Sequence, residues 1–416
     1  MKNRLPLLLL ILASPAFAEN AVQLRFEDLP GLVAGKNQAV SGADRLVESA
    51  RARTGSFGRS YLPTLGAEAG GERFQTLNFG YRNEPYGHLE ARLNVYRGGR
   101  DQLGERTAER QVELAAADAR RTLAAELAAA RKTFWQLVSE REIAKVVAEA
   151  LSENEKLLAV ASRRINRGLA TETDRLEFEI NRSQLREEIE SRTHAAVLLQ
   201  IRLSAFLGLP PETKFSTPEA ITHDHDESLL AAAFDAAASP DASALKARRD
   251  ALDLERRKAG RWWTPSVDLY GGYYLYTLRE RDSLSRRERD DKAIGARLSV
   301  PLFDGLRART DAGALRLQTE GVERQRSQRE LAVEAEVRVA KEDLKHDHEL
   351  IHYSEERIEQ GGRYLARTLE EYERGVKNSL DALGAAQRQL GFRRQHAERR
   401  RDYKHTEAGL LALLGR

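Results

Sequence analysis

The residues whose spacing comes nearest to a metal site are two histidines, His348 and His352. They stand four apart in a helical pattern, so one helix face would present both. His346 and Asp347 are neighbours, but no third ligand has a defined spacing and the surroundings are charged. We expect a solvated helix face here, with a metal site as the alternative. The stretch HDHD at 223–226 follows three prolines, and we expect it to be an exposed loop.

No other set of side chains has a pattern typical of catalysis. The sequence shows no Ser-His-Asp arrangement, no phosphate-binding loop and no carboxylate pair in a catalytic context. The 67 basic and 64 acidic residues nearly balance, at a net charge of +3, and give no indication of a nucleic-acid partner. We therefore expect a protein that is not an enzyme, with no cofactor and no resident metal.

Two similar helix breaks are the clearest local pattern. Two stretches share Arg-Gly, Asp and Leu in the same register, 207 positions apart: INRGLATETDRL (165–176) and YERGVKNSLDAL (372–383). Gly168 and Gly375 interrupt the helical pattern, which then restarts. An aspartate follows each glycine by six residues, at Asp174 and Asp381.

The proline positions indicate that the helices on either side of these breaks are very long. No proline lies between 86 and 209 or after 301, and proline is excluded from helix interiors. Over 105–167 apolar residues recur at spacings of three, four or seven, as in a coiled-coil seam. Those 63 residues would make a rod of roughly 95 Å. The block at about 306–372 repeats the plan.

The chain also contains an internal duplication. SYLPTLGAEAGG matches WWTPSVDLYGG, and ARLNVYRGGR matches ARLSVPLFDGLR, in the same order in each half. We predict a first repeat at 19–210, a linker at 211–240, and a second repeat at 241–416. Each repeat would contain two strands, a long helix, a tip and a return helix. In the first repeat the strands are at about 61–75 and 86–97, the long helix at about 100–166, the tip at 166–173, and the return helix continues to 208. In the second repeat the strands are at about 264–279 and 292–303, the long helix at about 305–373, the tip at 374–379, and the return helix continues to 414.

The N-terminus has the features of a secretory signal peptide over residues 1–18. Lys2 and Arg4 are basic, residues 5–12 are apolar, and Ala16–Ala18 forms an A-x-A cleavage site. The apolar run is too short to span a membrane. The chain has no cysteine, so it uses no disulfide although an exported protein could form one. We expect export to a Gram-negative periplasm or outer membrane.

Four segments with period-two patterning predict strands with one apolar face. In HLEARLNVY, for example, Leu89, Ala91, Leu93 and Val95 alternate with His88 and other polar residues. Segments of this length suit tilted transmembrane strands, and two hairpins on a soluble helical core are the alternative. Four strands cannot close a barrel, and an open edge is not tolerated in lipid. Membrane strands would therefore require a barrel shared between chains.

In these features the chain resembles the TolC-like outer membrane efflux protein (OEP) family over about residues 22–415. The resemblance is carried by RSYLPTL before the first strand, ARLSVPLFDGLRAR before the second long helix, the Tyr-x-x-Gly-x-x-x-x-x-Asp-x-Leu pattern of 372–383, and the closing LLALLG. It implies a mainly α fold with a transmembrane β-barrel. Three chains of four strands would form a 12-stranded barrel, continued by a long coiled-coil α-helical barrel.

The resemblance also implies a function. Members of the family are outer-membrane exit ducts of tripartite efflux pumps or type I secretion systems, and they perform no covalent chemistry. The implied partners are two further copies of the chain in a homotrimer, a periplasmic adaptor (membrane fusion) protein, an inner-membrane pump of RND or ABC type, and outer membrane lipid. The alternative function is a periplasmic adaptor with a coiled-coil hairpin, although one hairpin would not explain two equivalent halves.

The resemblance assigns gate roles to four residues. Tyr372 and Lys377 match positions whose hydrogen bonds and charge pairing hold the second coil shut, and their partners match Thr173 and Asp174. The family commonly has arginine where this chain has Lys377, which keeps the charge but not the bidentate geometry.

It further places both breaks at the periplasmic tip. Gly168 and Gly375 would be the tip turns, and Asp381 matches an acidic position whose three copies ring the constriction. Where the family often has a second acid, this chain has Gly384. We therefore expect a less acidic ring with weaker cation binding.

Overall fold

Long helices dominate the computed structural model, which describes residues 22–76, 80–168, 170–217, 221, 227–279 and 286–415. The helices are α1 (Leu29–Lys36), α2 (Gln38–Gly58), α3 (Arg100–Asn166), α4 (Glu172–Phe206), α5 (Glu227–Ala231), α6 (Pro240–Ala259), α7 (Arg307–Glu373) and α8 (Ser379–Leu413). The strands are β1 (Val22–Gln23), β2 (Thr64–Thr76), β3 (Gly80–Tyr96), β4 (Phe215–Ser216), β5 (Ser266–Arg279) and β6 (Arg286–Ser299). The predicted signal peptide lies outside the described residues.

The two repeats contain matching helices. α3 and α7 have 67 residues each, and α4 and α8 have 35 each. Both members of each pair begin 207 positions apart, the same offset that relates the two helix breaks. Long runs of Ala, Leu, Glu and Arg without proline favour such uninterrupted helices. None of the helices in the described part of the chain combines the length and apolarity that crossing a membrane would require.

β2, β3, β5 and β6 form one antiparallel sheet in the order β2-β3-β5-β6. β3 begins at Gly80, before the predicted start near 86, and runs through Pro85 opposite Gly71. Pairing of β3 with β5 starts only at Tyr86, so Pro85 lies where β3 has a partner on one side. There the missing N–H of proline breaks no bond on the open side.

The sheet has one apolar and one polar face. Leu65, Leu89, Leu269, Ile294 and Leu298 share the first face by register and are all exposed, Ile294 by 93%. The opposite face carries charged and aromatic polar side chains, among them Glu68, His88, Glu90, Arg92, Asp268, Tyr274 and Arg297. A broad exposed apolar face of this kind marks a surface that another apolar phase or partner covers.

The described residues group into two compact units. One contains the described parts of Met1–Asn37, Leu127–His225 and Asp343–Ala408. The other contains those of Gln38–Glu126, Asp226–Glu342 and Gly409–Arg416. Each unit includes segments of both repeats. The first unit holds both helix breaks, and the second holds the four-stranded sheet.

The core of the first unit is formed jointly by the two repeats. Near the helix breaks, one buried cluster joins α3 and α4 to α7 and α8 and consists of Leu157, Ala161, Phe178, Tyr372, Ala382 and Leu383. A second cluster contains Ile143, Val146, Val147, Leu185, Leu390 and Ala397. Burying these side chains against each other ties the two helical hairpins together.

Candidate functional site at the paired helical turns

Each of the two helix breaks contains a left-handed glycine, and we call residues 167–168 with 170–171, and residues 374–378, the paired turns. Gly168 and Gly375 have φ of 72° and 85°, the left-handed conformation that glycine adopts at low cost. The N–H of Gly168 donates to the carbonyl of Ile165 at 2.9 Å, and that of Gly375 to the carbonyl of Tyr372 at 3.0 Å. Left-handed glycines of this kind end both long helices.

The aspartate that follows each glycine by six residues caps the next helix. Asp174 accepts hydrogen bonds from the backbone N–H and the hydroxyl of Thr171, at 2.7 and 2.9 Å. Asp381 faces the N–H of Asn378 at 3.4 Å, and its own N–H donates to the Asn378 side chain at 2.8 Å. Both are reciprocal capping boxes. The sequence analysis missed this role, which the spacing Thr-x-x-Asp and Asn-x-x-Asp signals.

Tyr372 is an almost fully buried aromatic side chain of the site. It is 1% exposed, its ring centroid lies 6.1 Å from that of Phe178, and its hydroxyl has no hydrogen-bond partner among the described residues. The Arg164 guanidinium lies 4.5 Å from its ring centroid and also donates to its backbone carbonyl. Burial raises the pKa of the Tyr372 hydroxyl, so it stays protonated in the physiological range.

Asp174 is bound across the repeats by Ser379. Ser379 is 3% exposed, its hydroxyl donates to the Asp174 carboxylate, and the same hydroxyl lies 3.2 Å from Oε2 of Glu177. The Ser379 hydroxyl, and after it the backbone N–H of Thr171, hold the pKa of Asp174 below its ordinary value. Asp174 is therefore ionised at neutral pH.

The seven predicted site residues and Gly384 lie at the end of α7, in the two turns, or at the helix starts that follow. Asp174 is among the charges that act on Tyr372, yet the two side chains are not hydrogen-bonded to each other. Thr173 is exposed, and Lys377 is half-buried and forms no ion pair among the described residues. The gate roles of these residues stay predictions. Arg164, Glu177 and Ser379, which the sequence analysis did not single out, complete the site.

The predicted histidine pair lies on α7, away from the paired turns. His352 is largely exposed on α7, with Glu355 and Glu356 at 3.8 and 3.9 Å. His348 packs on Tyr403, with ring centroids 6.4 Å apart. In the described part of the chain, no group of three or more His, Asp or Glu side chains is arranged to hold a metal ion. Residues 223–226 lie outside it.

Comparison with known proteins relates both units to one class of structure. Residues 236–416 match the model of the outer membrane efflux protein family. No curated protein matches the sequence.

Solved structures match nearly the whole chain. The outer-membrane channel OprN has a TM-score of 0.78 at 18% identity, over 94% of this chain and 89% of that one. The outer membrane protein VceC from Vibrio cholerae gives 0.78 at 17%, over 94% and 96%. CusC gives 0.77 at 16%, over 95% and 92%. The predicted mainly α fold with a small sheet is confirmed, the closed trimeric barrel stays a prediction, and the matches give no support to an adaptor.

Proposed function

Because residues 236–416 match the model of the outer membrane efflux protein family and the chain has the fold of outer-membrane channels, we propose that this protein is the outer-membrane exit duct of an efflux system. It conducts substrates passively from the periplasm to the exterior. The observation that carries the proposal is the fold likeness to outer-membrane channels over 94% of the chain.

The two-faced sheet supports a place in the outer membrane. Its row of exposed leucines and Ile294 suits contact with lipid, and its polar face suits an aqueous lumen. β2 and β6 are the outer strands of the sheet, and each leaves one edge without a partner in the described sheet. Unsatisfied backbone groups cost several kcal/mol each in lipid, so these edges must pair with other copies of the chain.

A homotrimer satisfies this requirement. Three copies of a four-stranded sheet give the 12-stranded barrel implied by the family. The unpaired edges alone require further copies of the chain but do not fix how many. The long helices of the three copies would continue the barrel as an α-helical tunnel in the periplasm.

We assign the gate of this tunnel to the paired turns. Tyr372 and Lys377, with Thr173 and Asp174 as partners, would hold the α7–α8 hairpin closed at contacts that include the neighbouring copy. The support is the clustering of Tyr372 and Asp174 in one site and the absence of an ion pair for Lys377 among the described residues. An unpaired ammonium near a subunit seam is available to a carboxylate or hydroxyl of the next chain.

Asp381 would line the constriction. Its carboxylate caps α8 from a half-buried position, and three copies near a three-fold axis would favour cations, as acidic rings do in channels. With Gly384 one turn further on, the ring has a single acidic layer.

The duct would act with a periplasmic adaptor and an inner-membrane pump, of RND or ABC type, which supplies the energy. The duct itself would perform no covalent chemistry.

Fractionation of expressing cells tests the proposal. We expect the protein in the outer membrane, extracted only by detergent, with the mass of a trimer and heat-dependent migration on a denaturing gel. A monomer in the periplasmic fraction that needs no detergent would overturn the duct and favour the adaptor.

A further inference from the structure

The paired turns and the helix ends beside them differ from each other at most positions. The residues that shape the turns are the same in both, since Gly168 corresponds to Gly375 and Asp174 to Asp381 at the common offset. Close to them the copies diverge: Arg164 corresponds to Glu371, Ile165 to Tyr372, and Glu172 to Ser379.

Two of the contacts between the repeats at the turns come from these diverged positions. Arg164, from α3, covers the ring of Tyr372 at 4.5 Å and donates to its carbonyl. Ser379, at the start of α8, donates to Asp174, the third helical residue in the capping box of α4. The two contacts run in opposite directions, one from each repeat, so together they tie both ends of the second turn to the first hairpin.

Both contacts are largely shielded from solvent. Ser379 and Tyr372 are almost fully buried, and Arg164 is half-buried against the aromatic ring. A cation over an aromatic face and a hydroxyl on a carboxylate both strengthen when they are desolvated. Their loss would leave Asp174 with its own-turn hydrogen bonds only.

We propose that Arg164 and Ser379 are positioning residues of the gate, which clamp the second turn onto the first within one chain and hold Tyr372 and Asp174 in the closed arrangement. This inference rests on the proposed function. It adds two residues outside the four assigned above, and it makes part of the latch internal to each chain, independent of the neighbouring copies.

The clamp has a pH signature. The charged and titratable groups around Asp174 are Arg164 from α3, Glu177 from α4 and Tyr372 from α7, with the Ser379 hydroxyl at the start of α8. Because the pKa of Asp174 is lowered in the closed site, its contribution is present above the ordinary pKa and is lost as pH falls through the lowered value. Removing the Ser379 hydroxyl raises the pKa again, so acid opens the gate at a higher pH.

Conductance of the purified oligomer in planar bilayers, recorded from neutral to acidic pH, tests the clamp. Arg164→Gln and Ser379→Ala are expected to raise the open-to-closed ratio roughly tenfold each, the effect of one lost charge-assisted bond. Ser379→Thr, which keeps the hydroxyl, should restore the wild-type ratio and pH profile. Arg163→Gln and Ser162→Ala are matched exposed controls one and two residues from Arg164, and should behave as wild type.

The outcomes separate the clamp from the function. If Arg164→Gln and Ser379→Ala conduct as the wild type does at every pH, the clamp is wrong and the duct stands. If the wild type and all variants fail to conduct, the duct itself is wrong. If Arg164→Gln or Ser379→Ala fails to assemble, the conductance of Arg164→Lys is measured instead, because this variant keeps the positive charge and loses only the planar guanidinium. If the variants open at a higher pH than the wild type does, the clamp is supported. If their conductance–pH profiles superimpose on that of the wild type, the clamp is wrong.

Discussion

At the scale of single residues, the paired turns combine positions that shape the backbone with positions to which we assign the closing of the gate. Gly168, Gly375, Asp174 and Asp381 shape and cap the helices. Arg164 and Ser379 then connect the two copies. The equal spacing of glycine and aspartate in both turns is therefore explained by helix ending and restarting, before any role in gating is considered.

The turn glycines should resist substitution for backbone reasons alone. A Cβ at Gly168 would meet no atom within 4 Å, and one at Gly375 would meet only the end of the Arg164 side chain at 3.9 Å. Alanine at either position should therefore cost about 1 kcal/mol from the left-handed backbone. We expect a lower melting temperature of the purified oligomer for both variants.

Gly384 is the matched control for this prediction. It lies inside α8, and a methyl group added there would meet nothing within 4 Å. Gly384→Ala should therefore raise the free energy of unfolding by up to about 1 kcal/mol, and with it the melting temperature. If the turn variants are as stable as Gly384→Ala, the turns do not require their left-handed geometry.

Asp381 offers a way to separate capping from cation binding. Asp381→Asn keeps a polar side chain at the cap and removes the charge, so assembly should be retained while block by a divalent cation added on the periplasmic side weakens. Asp44→Asn, at an exposed site in α2, is the control and should be blocked as the wild type is. Equal block in Asp381→Asn would place the acidic ring elsewhere.

At the scale of elements, the helices were more predictable than the sheet. Proline-free runs and apolar periodicity are local signals, and they indicated the long helices that α3 and α7 form. β3 and β6 begin at Gly80 and Arg286, outside the predicted ranges, because the strands continue where apolar alternation stops. There the pairing partner, and not the pattern, maintains the strand.

The contacts between the repeats could not be predicted in the same way. Arg164 and Tyr372 are 208 residues apart, and Ser379 and Asp174 are 205 apart. Which side chains of two hairpins meet depends on how the hairpins pack side by side, which local patterning does not encode. The capping boxes, by contrast, were readable from a spacing of three residues.

The two faces of the sheet predict opposite responses to a new charge. Ile294→Lys puts a charge on the apolar face, and it should make the free energy of membrane insertion less favourable by about 2–4 kcal/mol if the site lies near the bilayer midplane. Ala293→Lys, one residue earlier and on the polar face, should insert as the wild type does. The measurement is the amount of folded oligomer in the outer membrane. Equal insertion of both variants would contradict a lipid-facing Ile294.

At the scale of the whole molecule, the proposed duct makes the four-stranded sheet one part of a barrel shared between chains. β2 and β6 are three strand spacings apart within one chain, about 14 Å, which exceeds the reach of a disulfide. The chain has no cysteine of its own. A cysteine pair on these two strands can therefore form a bond only between chains.

Disulfide scanning tests the sharing of the barrel. With one cysteine at Leu65 and a second at each of 293–299 in turn, oxidation of intact cells should give covalent species of two and three chains, and none larger. Leu65→Cys alone is the control and should stay monomeric on a denaturing gel. A ladder beyond three chains, or no linked product for any pair, would contradict a closed trimeric barrel.

The central claim is that the assembled protein conducts through a tunnel whose gate lies at the paired turns. Its most direct test is the ionic current of the purified oligomer in a planar bilayer, comparing the wild type with the Tyr372→Phe, Lys377→Ser double variant. We predict discrete conductance steps for the wild type and larger or longer openings for the variant. Correctly assembled oligomers that give no steps in either form would contradict the account.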